Sequence, residues 1–330
     1  MAQPPATAAR AHHAATVDVD AWMARVEATM AEAVSRTEDP LLSEMALKMV
    51  RAGGKRLRPR VGLLAYAACG GTELTDKVRL AAAGIELVHT ATLIHDDIID
   101  GGDRRRGVPA THREYGLERA ILAGDFLFVK GFELSGSVLD ARIIELTAGA
   151  STWLAEGELL EHRHLRDLSI GLDRYVEIVA KKTAAPIEKA CQIGAYLAGA
   201  DAATTDAFAR FGRALGIAFQ MSDDLLDVRG NATGKPRGVD LRGGVPTLPS
   251  LLTIRAGNQR FRVLVEKAVK SEEDVRELID TILASGSLGE AERIVDAYAG
   301  QAAAAVAHVP DSPYKRELLA LCESVARRDA

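Results

Sequence analysis

The sequence predicts an all-α fold, a single helical bundle spanning residues 18–330 around a central site. Three observations lead there. From Asp18 onward, apolar residues recur at three- and four-residue spacing in a composition dominated by Ala, Leu, Glu and Arg. Alternating β-branched runs with hairpin turns are scarce. No shift in composition and no internal period divides the chain. With 48% apolar residues in a chain of 330, a substantial core can form without a second domain.

Residues 1–17 are rich in Ala, Pro and His, contain no acid, and hold Arg10 as their only basic residue. They lack the compact apolar stretch of a signal peptide, so the expectation is a disordered tail. Helices then follow one another, with stops at Gly53-Gly54, Gly70-Gly71, Gly101-Gly102, Gly199, Gly230 and Pro310-Asp311. Between Gly230 and Pro249 the chain turns polar and Gly/Pro-rich and reads as the longest non-helical segment, a length that suits a functional loop. No apolar run reaches the ~18–20 residues of a membrane span. A net charge of −5, with only 5% aromatic residues, argues against nucleic acid as a partner. Cys69, Cys191 and Cys322 are isolated thiols that fit a reducing compartment, and the expected location is cytoplasmic.

The strongest signal is a repeated acid pattern. Thr90–Asp100 reads T-A-T-L-I-H-D-D-I-I-D, and Phe219–Val228 reads F-Q-M-S-D-D-L-L-D-V. Each places D-D-x-x-D at the C-terminal end of an apolar helix. Residues four apart share a helix face, so Asp96 lies above Asp100 and Asp223 above Asp227, with Asp97 and Asp224 about 100° around. Stacked carboxylates repel, lose solvation near a core, and sit at the end of the helix dipole that favours cations. Hard divalent cations resolve this, and Mg²⁺ typically uses one or two carboxylates and completes its shell with water and phosphate oxygens. A single such cluster reads equally well as a solvated helix end. Two in matching contexts point to ions held between facing helices.

Basic residues stand beside these acids. Gly53–Pro59 reads G-G-K-R-L-R-P, bringing Lys55, Arg56 and Arg58 to a glycine turn. Asp103–Pro109 reads D-R-R-R-G-V-P, and guanidinium forks match phosphate oxygens. Acids for Mg²⁺ and arginines for phosphate together describe a diphosphate site.

At these residues the sequence resembles the trans-isoprenyl diphosphate synthases, the polyprenyl synthetase family, over roughly Ala46 to Pro249. The first family motif is met by Asp96, Asp97, Asp100, Arg105, Arg106 and Gly107, and the second by Asp223, Asp224 and Asp227. G-G-K-R-x-R-P, the V-H-T-A-T-L-x-H stretch, G-D-F-L at Gly124–Leu127, K-T at Lys182-Thr183 and G-K-x-x-G-x-D-L at Gly234–Leu241 match as well. Val245 stands where many relatives carry Lys, and Arg104 adds a third arginine to the usual pair.

The resemblance implies a fold of the isoprenoid synthase type and a homodimer. It also implies an activity that joins isopentenyl diphosphate to an allylic diphosphate. By position, the six motif aspartates would bind about three Mg²⁺ ions. Lys55, Arg58, His89 and Arg106 would hold isopentenyl diphosphate, while Arg105, Lys182, Thr183, Gln220 and Lys235 would line the allylic diphosphate. Without the resemblance, His89 reads as a core histidine and Thr183 as accommodating a kink at Pro186. His95 reads as structural, and His162 and His164 as surface.

Product length is expected to follow the depth of an apolar tunnel beneath the first motif. Val88, Ala91 and Thr92 are small residues that would leave it open, favouring C20 or longer, with a floor from the Phe126, Phe128 and Phe132 segment. Two other readings remain. A class I terpene cyclase would replace the second acid motif and lack G-G-K-R-x-R-P, and a non-catalytic subunit of a heteromeric synthase would commonly lose one acid motif.

Overall fold

The computed structural model describes residues 17–230, 237–255 and 257–327. Helix α1 (Val19–Ser35) begins where the Asp18 carboxylate accepts from the Ala21 N–H, and α2 (Pro40–Arg51) where Asp39 accepts from Leu41 and Leu42. These are ordinary N-caps, and Pro40 suits the first turn because its missing N–H would be orphaned there. Next come α3 (Leu57–Ala68) and α4 (Asp76–Ile99), the latter carrying the first acid motif. A two-residue hairpin of β1 (Arg104–Arg105) and β2 (Val108–Pro109) follows. It leads through α5 (Thr111–Tyr115) to α6 (Leu117–Gly136) and α7 (Ala141–Arg163). Then α8 (Leu172–Val179) passes through a π-helical turn at Ala180–Ala184 into α9 (Ala185–Leu197). The second acid motif ends α10 (Ala202–Arg229), and α11 (Val239–Gly243) stands close after it. The remaining helices are α12 (Leu248–Arg255), α13 (Gln259–Glu266), α14 (Glu272–Ser285), α15 (Ser287–Ala305) and α16 (Pro313–Ala326).

Burial separates central from peripheral helices. Every residue from Val61 to Ala68 on α3 and from Ala81 to Val88 on α4 is buried, the mark of helices surrounded on all sides. Around them α4 packs on α6, α3 on α9, and α10 on both α9 and α15. The α4–α6 crossing is close enough to require glycine. A Cβ on Gly131 would lie 2.9 Å from the Gly84 carbonyl oxygen and 2.8 Å from Val88 Cγ2.

The π turn has a local cause. Pro186 has no N–H to donate, and its ring would clash with the carbonyl of Lys182 in a regular α-helix. Widening the turn by one residue avoids that conflict, and π bulges of this kind gather at functional sites. The kink expected at Pro186 thus takes the form of a bulge at Lys182-Thr183.

Two expectations are corrected. The Gly230–Pro249 stretch is not loop throughout, since α11 forms inside it and α12 begins at Leu248. Composition hid α11 because its start is capped from a distant residue, with Asp227 accepting from the Val239 N–H at 3.0 Å. Val17, assigned to the tail, joins the fold by donating its N–H to Tyr314 Oη. The rest of that tail lies outside the described residues.

Candidate active site

A cavity of about 1000 Å³ opens at the ends of α4 and α10 and reaches the start of α3. Its wall includes Lys55, Arg58, His89, Asp96, Arg105, Arg106, Lys182, Thr183, Gln220 and Asp223. Residues up to 168 positions apart, Lys55 to Asp223, therefore share one chamber. Lys235 lies outside the described residues.

The acidic end is built by burial. Asp96 is pushed up to about 7 by desolvation, with Glu158 adding repulsion. Burial also raises Asp100, Asp227 and Glu161. Asp240 on α11 is raised well above the usual carboxylate range, again by burial and then by Asp227. Lys182 stands among them, 2.8 Å from Glu158 and 2.5 Å from Glu161. Burial works against its charge, but Glu161 and Glu158 outweigh that and hold its pKa high. Only a residue without a side chain fits where α7 crosses here, because a Cβ on Gly157 would lie 2.4 Å from the Lys182 backbone nitrogen.

The six motif aspartates do not share one environment. Asp97 is 2% exposed, and its Oδ1 takes both Nε (2.8 Å) and Nη2 (2.5 Å) of Arg105, while its Oδ2 has no hydrogen-bond partner. Asp224 is buried and receives the Tyr175 hydroxyl at 2.6 Å, Gln220 Nε2 at 3.0 Å and the Leu248 N–H at 2.9 Å. Thr183 donates to Gln220 Oε1 at 2.9 Å, so the π turn is tied to α10 through that amide. Asp227 is occupied in capping α11. Asp96 and Asp223 are the motif aspartates on the cavity wall. Spacing alone did not separate them in this way, because helix geometry assigns a face but not which face the bundle buries.

The donor set suits a hard divalent cation. Oxygen ligands predominate, several are raised by burial and mutual repulsion, and Asp97 Oδ2 is a buried oxygen without a partner. Among the described residues, no three His, Cys, Asp or Glu side chains come together in a form that could hold a metal ion unaided.

Asp224 makes a pH prediction. Desolvation is the largest influence and outweighs its three hydrogen bonds, pushing it up to about 7 from an ordinary value of 3.8. The folded protein therefore keeps a proton that the unfolded chain releases between about pH 4 and pH 7, and this group's contribution to stability falls as pH rises through that window. Thermal melting at pH 5, 6, 7 and 8 should show Asp224→Asn losing part of the wild-type decline. An identical slope in both proteins would refute the assignment.

The basic end holds Lys55, Arg58, His89 and Arg106, while Arg105 lines the same cavity with its guanidinium turned to Asp97 of the first acid motif. Burial lowers Arg58 to about 10, and burial with Arg58 and Arg106 nearby pushes His89 well below its ordinary range, so its imidazole is neutral at pH 7.

The chain-length expectations fare unevenly. Thr92 lines the large cavity and also an adjoining apolar one of about 470 Å³, whose walls include His95, Ile99, Phe128, Leu154, Leu159 and His162. Val88 and Ala91 are buried, Val88 against α6, and neither they nor Phe132 line either cavity. Thr92, Phe128 and α7 are what border the apolar cavity. Register explains the difference, since Val88 faces α6 rather than the chamber and Ala91 is fully buried. His162, expected at the surface, is exposed but lines the apolar cavity, and His95, expected to be structural, borders it with its ring beside Phe128. Glu86, Glu158 and Glu161 were not singled out in the sequence, and Asp240 entered only within the Gly234–Leu241 match. Glu158 and Glu161 stand in the G-E-L-L-E stretch of α7, but acids on helices ordinarily read as solvated.

Comparison with known proteins agrees with this geometry. The family model described as polyprenyl synthetase matches residues 39–282. The chain is 34% identical to octaprenyl diphosphate synthase of Escherichia coli over 313 residues, covering 93% of this chain and 96% of the relative. It is also 34% identical to nonaprenyl diphosphate synthase of Mycobacterium tuberculosis over 315 residues, covering 94% and 93%. The crystal structure of a polyprenyl synthase from Caulobacter crescentus, complexed with calcium and isoprenyl diphosphate, superposes with a TM-score of 0.88. Identity there is 36%, covering 94% of this chain and 96% of that one. With two acid motifs and a cationic pocket facing one chamber in an all-α bundle, the chain belongs to the polyprenyl synthetase family and is a trans-prenyltransferase, a polyprenyl diphosphate synthase.

Proposed function

We propose that this enzyme uses Mg²⁺, about three ions, to extend an allylic diphosphate with isopentenyl diphosphate to C20 or longer, with octaprenyl and nonaprenyl lengths favoured by its relatives' names. The observation that carries the reading is the single cavity with carboxylates at one end and guanidinium groups at the other. Asp96, Asp100 and Asp223 would hold the ions, and bound divalent cations would neutralise charge on the departing diphosphate. Lys182 and Arg105 add fixed positive charge at that end, where it stabilises developing negative charge. Lys55, Arg58, His89 and Arg106 would orient isopentenyl diphosphate so that its double bond faces the allylic carbon. His89, being neutral, serves as a hydrogen-bond donor from one ring nitrogen. The proton lost at the end leaves with the released diphosphate, so no protein nucleophile is required.

The apolar cavity behind Thr92 would receive the growing tail. Thr92→Phe is expected to fill its mouth and shorten the products by two or more isoprene units. Sizing dephosphorylated products from C5, C10, C15 and C20 primers with labelled isopentenyl diphosphate tests both statements. Failure to elongate any primer would overturn the activity, and unchanged lengths in Thr92→Phe would overturn the tunnel.

Homodimer formation belongs to the same proposal. It is supported by exposed apolar side chains on α6, Leu117, Ile121, Leu122 and Val129. Among the described residues no helix is long and apolar enough to cross a membrane. A cytoplasmic location is proposed on the three free thiols, Cys69, Cys191 and Cys322, which suit a reducing compartment.

A further inference from the structure

The cationic end of the cavity contains a buried carboxylate that the roles above leave unexplained. Arg56 adopts a left-handed backbone, φ 44°, and its side chain is 5% exposed. Its Nε donates to Glu27 Oε1 and its Nη1 to Glu86 Oε1, each at 3.1 Å, while Nη2 reaches the Val50 carbonyl. Glu86 lies on α4, one turn before His89, and is only 1% exposed. Its Oε2 has no hydrogen-bond partner, and neither do the buried Arg58 Nε and Arg106 Nη1. Arg58 and Arg106 both feel its charge, which offsets part of what burial takes from them. Stability alone is a poor reason to keep such a group, because a buried ion pair seldom outperforms apolar packing of the same volume.

Chemical bookkeeping supplies another reason, and it rests on the function proposed above. In each condensation the allylic C–O bond breaks and the diphosphate departs with the electron pair. A carbon–carbon bond then forms to the terminal alkene carbon of isopentenyl diphosphate, and a proton passes to the released diphosphate. The lengthened product therefore carries the diphosphate that isopentenyl diphosphate brought, seated among Lys55, Arg58, His89 and Arg106. For the next cycle that group must move to the acidic end, where ionisation occurs. A cationic pocket that gripped it too firmly would end elongation early.

We infer that Glu86, tethered by Arg56, is a positioning residue that weakens the cationic pocket's hold on the product diphosphate and so sets how readily a chain enters the next cycle. It touches neither reacting carbon and acts through Arg58 and Arg106.

Opposite signs make the test decisive. Glu86→Gln removes the opposing charge, and Arg56→Gln removes its compensation. Wild type, both single variants, the double variant and Glu86→Asp would be assayed with labelled isopentenyl diphosphate and a C15 primer, with melting curves to verify folding. Glu86→Gln is expected to lower KM for isopentenyl diphosphate about five-fold, as one partly screened charge at several ångströms allows, and to shift products to shorter chains. Arg56→Gln should raise that KM by a similar factor, and Glu86→Asp should keep wild-type lengths. A rise in KM in both Gln variants, or unchanged lengths in Glu86→Gln, overturns the inference. If Glu86→Gln does not fold, the other two variants decide it. Arg56→Gln raising KM while Glu86→Asp keeps wild-type lengths supports the inference, and any other result refutes it. Failure of the wild type to elongate would instead refute the proposed function.

Discussion

Replacing Asp96 with asparagine is expected to lower kcat by roughly 10³-fold, within the range seen when one preorganised charge-stabilising group is removed, while leaving the fold at least as stable at pH 8. Asp96 stands on the cavity wall at the end of α4, its carboxylate raised to about 7 by burial and by Glu158. Holding it ionised costs the folded protein free energy that Lys182 and Arg105 offset only in part. An uncharged isostere removes that cost together with the proposed metal ligand. Steady-state rates at saturating substrate, paired with melting temperatures at pH 8, check both halves. Activity within ten-fold of wild type would remove Asp96 from the chemistry, and a large loss of stability would mean that it serves the fold.

Lys182→Met should produce the second largest effect, a fall of about 10²-fold or more in kcat/KM for the allylic substrate. Its ammonium group is the fixed charge between Glu158 and Glu161, at the widened turn that Pro186 imposes. Losing it leaves two carboxylates facing each other with 14% and 19% of their side chains exposed. The accompanying destabilisation should be on the order of 2 kcal/mol, below the figure for a fully buried pair because water still screens the site. Lys182→Arg separates the contributions, restoring charge and much of the stability without the point-like geometry. Equal kinetic losses for the allylic substrate and isopentenyl diphosphate would contradict its placement at the acidic end.

The chemistry was more legible than the contacts. Asp96 and Asp223, Lys55 and Arg58, Arg105 and Arg106 stand out in the chain because their residue types are costly without a counter-ion and because they recur in tight spacing. All six line one cavity. Glu86 carried no such signal, since a lone acid on a helix becomes informative only once the bundle has buried it.

By itself the sequence determined the helical class, through three- and four-residue apolar spacing, and the chemical class, through acids and arginines whose charges demand diphosphate and metal. It also called for a break in the helix at Pro186, which cannot complete a regular turn, and the structure gave that break the form of a bulge. Tertiary structure alone decided which face of each helix is buried. Asp97 and Asp224 face inward to Arg105 and Tyr175, Asp227 caps α11, and Val88 packs on α6 while Thr92 opens to the chamber. Spacing fixes the angle between two side chains on one helix, but the direction of that pair is set by the neighbouring helices, which come from distant parts of the chain.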